Sequence, residues 1–494
     1  MSTNKSEGYQ VCIGKGKNPK EAFENCIEVF DDFSQLIKEE EIVFIKCNLR
    51  LPNGFPTNTN FDLIKYVVDV CKKAGAGKIL VGDYPYDGVS IQKMDDLLAI
   101  SSFFEKIGAQ LAFLDNSQYF RNHDLELEEL KRIKQKEFEE IEKEGQKYLF
   151  PRSILEADKL ILLNQVNVSP LFKVRYAIES AFSMVSNAQR TIINPREITP
   201  EYLEEDEYKK KLISKIIDIY EIKPADLVIN DCFHLLEGAG PYIYEKSQIK
   251  KTNLMIASEN ALAADITLQH LFDLEMLENP LIDECIEKKL GPSDISDISF
   301  EGDITNLENN KMNIDLPITR MELMHLRNFS IREGLLCSGC KKAVYHFLNL
   351  MESSMIKDLK YIGKNSLLFG HNPPELDEKY INNIILFGDC AIKSTKNAEF
   401  RTIRTEKEKT GIGELLKGKF KENYTPKTTI QEKIKENKNI LEISGCPPDH
   451  LEAIQKLIDY FGKKDVPTLA IFQSMFDSFI RDEDKEKLQE WEEL

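Results

Sequence analysis

The sequence predicts an α/β protein: a helix-covered parallel sheet with mixed edges over residues 1–302, and a smaller α/β domain over 326–494. Three observations lead there. Short apolar runs of strand length alternate with segments whose apolar residues recur at helical spacing, the pattern of βαβ units. Polar residues and glycines gather just after those runs, at the carboxyl edge where such folds place ligands. A chain of 494 residues also exceeds what one core usually holds.

In chain order, a helix is expected over Pro19–Lys38, then a strand over Ile42–Cys47 and a polar loop over Asn48–Asn60. A helix over Phe61–Ala74 leads through two glycines to the strand Lys78–Gly82, which Asp83 ends. A helix over Ile91–Ile107 and a strand over Gln110–Leu114 follow. Charges of both signs fill His123–Lys147, so residues 120–150 read as an exposed helical insertion. The strand Asp158–Leu163 opens onto Asn164–Asn167, with helices over Val174–Ser186 and Thr199–Ile222 beyond. The strand Leu227–Asn230 then runs into Asp231, Cys232, Phe233 and His234, followed by Glu237-Gly238-Ala239-Gly240-Pro241. A strand over Asn253–Ala257 and a helix over Glu259–Leu271 complete the domain, and a polar linker spans 303–325.

In the second domain, strands are expected at Ile331–Leu336, Asn365–Phe369, Asn383–Phe387 and Ile440–Ile443, with helices over Lys341–Met351 and Asp449–Phe461. Residues 401–437 read as a charged insertion, and Phe472–Leu494 as an acidic helical tail carrying the lone tryptophan, Trp491.

Acidic residues number 83 against 65 basic, a net charge of −18, which opposes binding to nucleic acid or anionic lipid. With no apolar leader and no run of eighteen apolar residues, a cytoplasmic protein is expected. Ten cysteines there would stay reduced, so packing or metal ligation must account for them. Cys12, Cys26, Cys71 and Cys285 sit in apolar or helical contexts and read as structural.

Four others differ. Cys337 and Cys340 stand two residues apart, while Gly388-Asp389-Cys390-Ala391 and Gly445-Cys446-Pro447-Pro448 fence the other two with turn residues. A buried strand cysteine needs no such fence. If the strands before them are parallel, all four thiols meet at one sheet edge and share a metal centre. One ligand per βα loop favours an iron–sulfur cluster, a [4Fe-4S] centre, over zinc, whose structural sites use two close-spaced pairs. The three motifs resemble those around the proximal cluster of nickel–iron hydrogenase small subunits and of the related respiratory complex I subunit. Lys341 stands where the hydrogenase pattern has Glu, and no cysteine follows Cys446. The resemblance implies a cluster and not hydrogen chemistry.

In the first domain the residues at strand ends are Lys46, Asn48, Asp83, Asn164, Asn167, Asp231, His234 and Glu237, with Gly238 and Gly240 free to let backbone approach a ligand. Helix capping and turns are the simpler role for any one of them. As a set they read as a small-molecule cleft, with Lys46, Asp83, Asp231 and Glu237 as catalytic candidates. Carboxylates around one lysine would suit a cationic or metal-bridged ligand. Over residues 9–302 the order Lys46-Cys47-Asn48, Gly82-Asp83, Asp231-Cys232, Glu237-Gly238-Ala239-Gly240-Pro241 and Ala264-Asp265 resembles the family called domain of unknown function 362, with Cys47 in place of that family's proline. The resemblance adds Asp265 to the cleft, and it agrees with an appended iron–sulfur module, which members often carry.

The expected function is an iron–sulfur oxidoreductase or electron-transfer protein acting on a small molecule or cofactor in the first domain's cleft. The rival is a ligand-binding protein or non-redox enzyme with a structural cluster or zinc. Lys341, Lys342 and Lys393 would give a basic rim for an acidic, ferredoxin-like electron partner.

Overall fold

The computed structural model describes residues 8–86, 89–119, 127–192, 198–274, 278–376, 382–407, 431–436 and 439–479. Its strands are β1 (Tyr9–Lys15), β2 (Ile42–Lys46), β3 (Lys78–Gly82), β4 (Gln110–Leu111), β5 (Phe138–Lys143), β6 (Gln146–Pro151), β7 (Lys159–Ser169), β8 (Lys173–Val174), β9 (Leu227–Glu237), β10 (Gln248–Lys251), β11 (Leu254–Ser258), β12 (Ile298–Gly302), β13 (Phe329–Glu333), β14 (Asn365–Phe369), β15 (Asn383–Phe387), β16 (Thr402–Lys407), β17 (Gln431–Glu436) and β18 (Ile440–Ile443).

The large sheet runs β12-β1-β11-β9-β7-β2-β3-β4, with β8 and β10 added beside β7 and β9. From β9 to β4 all pairings are parallel, while β11 is antiparallel to both neighbours. Alternation along each central strand feeds two cores: Phe44, Leu160 and Leu162 face one side, and Val43, Ile45, Ile161 and Leu163 the other. A sheet covered on both faces is why these strands read as unbroken apolar runs.

A second, wholly parallel sheet follows the order β13-β14-β15-β18. Its core is not sealed from the first domain. Ala239 and Tyr244, from the loop after β9, pack among Met321, Val344, Phe347 and Leu457. The Gly240 N–H donates to the Tyr345 hydroxyl at 3.0 Å, and the Tyr244 hydroxyl meets His346 Nδ1 at 2.7 Å. Lys246 pairs with Glu352 at 2.8 Å. The 303–325 segment packs as well: Ile304, Leu307 and Ile314 join the first core, and Met321 and Met324 the second.

Several elements depart from the sequence pattern. The expected helix Pro19–Lys38 stops at Ile27 and continues as a 3-10 turn over Glu28–Phe33. Ile91–Ile107 is two helices, broken where Ala99 takes a left-handed conformation at φ 51°. The 120–150 insertion is only half helical: the helix Leu127–Glu137 gives way to the β5–β6 hairpin, turned at Glu144 and Gly145. Residues 120–126 of it lie outside the described residues, as do most of the 401–437 insertion and the tail beyond residue 479 with Trp491. β7 and β9 each run eleven residues, so Asn164–Asn167 and Asp231–Glu237, expected as loops, are strand. Cross-strand partners on both sides hold the polar groups of those stretches, which local sequence does not disclose. Among the described residues no helix is long and apolar enough to cross a membrane.

Candidate functional site

The cavity lies where the carboxyl edge of the large sheet meets the second domain. It measures about 410 Å³, and its walls include Arg50, Tyr86, Arg175, Glu179, Arg190 and Tyr242 from the first domain and Lys342, His346, Cys446, Asp449 and His450 from the second. Each first-domain residue follows a strand: Arg50 after β2, Tyr86 after β3, Arg175 after β7 and β8, and Tyr242 after β9.

The strand-end residues chosen from sequence form the layer behind this wall. Lys46 and Asp83 pair at 3.3 Å, essentially unexposed, and Arg50 Nε lies 3.7 Å from the other Asp83 oxygen. Asp83 also accepts the Leu49 N–H at 2.9 Å and the Ser183 hydroxyl. Burial pulls the Lys46 ammonium down to about 8, with Asp83 opposing. Asn48 accepts the Gln165 N–H at 2.8 Å. Asn164 donates to the Arg175 carbonyl at 3.0 Å, and the Arg175 N–H donates to the Asn167 carbonyl at 2.9 Å. The Asp265 carboxylate accepts the N–H groups of Ala177 and Ile178 at 2.8 and 3.1 Å, so it pins the short helix Ala177–Ser180 that carries Glu179. Burial raises Asp265 to about 7. These residues position Arg50, Arg175 and Glu179 and do not line the cavity themselves.

The remaining candidates do not converge with them. Asp231, buried in β9 and raised by that burial to about 7, accepts the Phe233 N–H at 3.0 Å. Glu237 accepts the Asp315 N–H at 3.1 Å and pairs with Lys250 at 3.5 Å, so it anchors the linker. Of the four catalytic candidates, only Lys46 and Asp83 meet. His234 packs its ring against Phe55 and Phe233. Gly238 and Gly240 admit this chain's own backbone and not a ligand: a Cβ at Gly238 would stand 2.6 Å from the Lys246 carbonyl oxygen, and one at Gly240 2.7 Å from that of Val168. The expectation of an anionic cleft is also corrected. The wall carries Arg50, Arg175, Arg190 and Lys342 against Glu179 and Asp449.

Burial raises the Glu179 carboxyl and lowers the Arg175 guanidinium to about 10, which leaves the arginine charged at neutral pH. Lys342 lines the cavity with its side chain exposed, and desolvation by the surrounding protein brings its ammonium to about 8. Lys342 thus faces the cavity, and Lys393 is exposed, 3.9 Å from Asp389. His346 and His450 are both pulled down by burial, His450 to about 4, so they are neutral at pH 7. With Tyr86 and Tyr242 they make a continuous aromatic wall, neighbouring ring centroids 5.2–6.1 Å apart.

The four singled-out thiols gather at this same edge. Cys337 caps the helix Ser338–Ser354, Cys340 lies in its first turn, Cys390 opens the helix Asp389–Ser394, and Cys446 precedes the helix His450–Phe461. Cys337, Cys340 and Cys390 share one packed cluster with Tyr202 and Leu203. The hydrogen bond with Cys337 and burial raise the Cys340 thiol, with Cys337, Cys446 and Cys390 adding electrostatically, and burial and neighbouring sulfurs raise Cys390 and Cys446 too, the latter to about 12. Cys337 alone is lowered, to about 7, chiefly by the hydrogen bond from the Cys340 thiol and also by the N–H groups of Cys340 and Gly339. Helix amino termini favour anionic sulfur, so the donor set suits a thiolate-ligated centre. Among the described residues no group of three or more His, Cys, Asp or Glu side chains is arranged to hold a metal ion. Cys26, Cys71 and Cys285 are buried in the first domain's cores, and Cys12 is buried in β1.

The arginines, Glu179 and the aromatic wall were not singled out in the sequence. Arg175 carried a signal, a lone charge between Val174 and Tyr176. Arg50 and Arg190 look like any surface arginine.

Fold and site together define an α/β protein whose two sheets enclose a polar cavity beside a cysteine quartet. Residues 43–269 match the family model described as "Domain of unknown function (DUF362)", which covers β2 through most of the helix Ala261–Leu271. No curated protein matches the chain. The lactate racemase apoprotein from Thermoanaerobacterium thermosaccharolyticum is similar over 52% of this chain and 55% of its own, at 13% identity and a TM-score of 0.30. This chain thus spans about half the length of that enzyme, and a likeness so low says nothing about function.

Proposed function

We propose that this protein is an iron–sulfur oxidoreductase, with Cys337, Cys340, Cys390 and Cys446 as ligands of a [4Fe-4S] cluster and the cavity as its substrate site. The observation that carries the reading is the double placement of Cys446, which belongs to the thiol quartet and also forms cavity wall. When bound, such a cluster supplies single electrons at a potential tuned by its surroundings. The chain's own residues do the rest. Arg50, Arg175, Arg190 and Lys342 hold and orient the substrate, Tyr86, Tyr242 and His346 exclude water, and Glu179 accepts or gives a proton at its unpaired Oε2 atom. Electrons enter from a partner protein, and the exposed Lys393 beside Cys390 suits an acidic, ferredoxin-like donor.

The test is anaerobic purification with iron, sulfide and zinc analysis, followed by reduction with dithionite. About four irons with matching sulfide and a reducible signal are expected. Cys390→Ser and Cys446→Ser should lower iron content, and Cys26→Ser and Cys285→Ser should not. One zinc per chain without sulfide refutes the cluster, and a cluster that no accessible potential reduces leaves a structural role.

A further inference from the structure

The cavity wall carries four cationic side chains, Arg50, Arg175, Arg190 and Lys342, against the carboxylates Glu179 and Asp449. Asp449 is fully engaged: one oxygen accepts the N–H groups of Leu451 and Glu452 at 2.9 and 2.8 Å, and the other takes the Tyr86 hydroxyl at 3.3 Å. Asp83 neutralises Arg50 only in part, since Lys46 shares it. Arg190 donates to the Pro85 carbonyl at 3.2 Å and to Asn187. Arg175 is 5% exposed, and its Nη1 has no hydrogen-bond partner although it is buried in the cavity wall. Glu179, one turn along, and Asp83 both favour the charged guanidinium, yet the Glu179 Oε2 is likewise unpartnered. A buried guanidinium nitrogen without a partner is costly unless something arrives to pair with it.

We propose that the substrate of this cavity is a small organic oxoanion, a carboxylate or phosphate ester, whose anionic head is gripped by Arg175 with Arg50, Arg190 and Lys342 and whose body lies against Tyr86 and Tyr242. The inference rests on the reading of this cavity as the substrate site and names its substrate class. Three guanidinium groups facing one space match the planar, forked acceptor geometry of such heads better than any cation could. A volume of about 410 Å³ falls in the range of sites for whole small molecules, so the head is one part of a larger ligand. The aromatic wall, with its histidines neutral, offers an apolar surface for the remainder.

The experiment is calorimetric titration of the full chain, purified anaerobically, with inorganic phosphate, benzoate and benzylamine, on samples whose iron and sulfide are measured alongside. Phosphate or benzoate should bind and benzylamine should not. Phosphate alone points to a phosphate ester, and benzoate alone to a carboxylate. Arg175→Gln and Arg190→Gln should each weaken the anion by about tenfold or more, and Arg175→Lys, which keeps charge but loses the fork, by less than Arg175→Gln. Arg190 is only half-buried, so its variant reports even if Arg175→Gln fails to fold. Failure of both anions to bind the wild type, benzylamine binding instead, or equal anion affinity in the Arg190→Gln and Arg175→Lys variants would overturn the proposal. An iron-free protein that still binds an anion through Arg175 refutes the cluster and keeps this site, and an iron-replete protein that binds neither anion does the reverse.

Discussion

Substituting Asp83 by Ala tests the layer behind the cavity. Asp83 is wholly buried and holds four groups: it pairs with Lys46 at 3.3 Å and Arg50 at 3.7 Å, and it accepts the Leu49 N–H at 2.9 Å and the Ser183 hydroxyl. Without it, the Lys46 ammonium, which makes no hydrogen bond, is left beside Arg50 and Arg175 with no compensating charge. Breaking a buried pair by removing one partner costs about 3–5 kcal/mol. The orphaned Leu49 N–H would add about 1–3 kcal/mol if the terms were independent. They are not, because Lys46 can shed its proton and cap the charge penalty. A loss of about 4 kcal/mol is expected, or on the order of 8 °C in Tm at about 2 °C per kcal/mol for a large domain. Scanning calorimetry on wild type, Asp83→Ala, Lys46→Met and the double variant reads both the loss and its origin. The double variant should recover at least half, since it removes the unpaired charge along with its partner. A shift below about 2 °C for Asp83→Ala, or a double variant as unstable as the two singles summed, would show that the pair does not organise this edge.

Three further outcomes follow from the same structure. The folded-state pKa of Lys46 is near 8 against an ordinary 10.5, so between those values the unfolded chain binds more protons and stability rises with pH; Lys46→Met should flatten that rise in urea titrations at pH 7.5 and 10. Gly14→Ala would place a methyl group 2.2 Å from the Ala22 carbonyl oxygen and 2.4 Å from the Cys26 nitrogen, forcing the helix Pro19–Ile27 off β1 at a cost above about 3 kcal/mol, and wild-type stability would contradict the close strand–helix packing. Gly339→Ala meets the Tyr208 ring at 2.7 Å, a side chain that can shift, so a smaller loss of about 1–3 kcal/mol is expected, with iron content per chain as the second readout.

How far the sequence reaches is visible in particular residues. The apolar runs determined β2, β3, β14 and β15, because a strand buried on both faces admits little else. Glycine and proline fences singled out Cys390 and Cys446 within motifs a few residues long, and the rule that ligands meet the carboxyl edge of a parallel sheet pointed to the rim where the cavity lies. Tertiary structure alone decided who faces that rim. Asn164, Asn167 and Asp265 look like cleft residues in sequence, yet the side chains of Asn164 and Asp265 hold the backbone that presents Arg175 or Glu179, and that of Asn167 bonds the Pro56 carbonyl and the Leu236 N–H. Lys342 sits two residues beyond Cys340 on a helix, and only the packing of that helix against the first domain turns its ammonium inward to Glu179, Arg50 and Arg190. Side-chain type follows from local chemistry, whereas a side chain's direction and partners depend on contacts between segments such as Glu179 and Lys342, which lie far apart in the chain and carry no local mark of meeting.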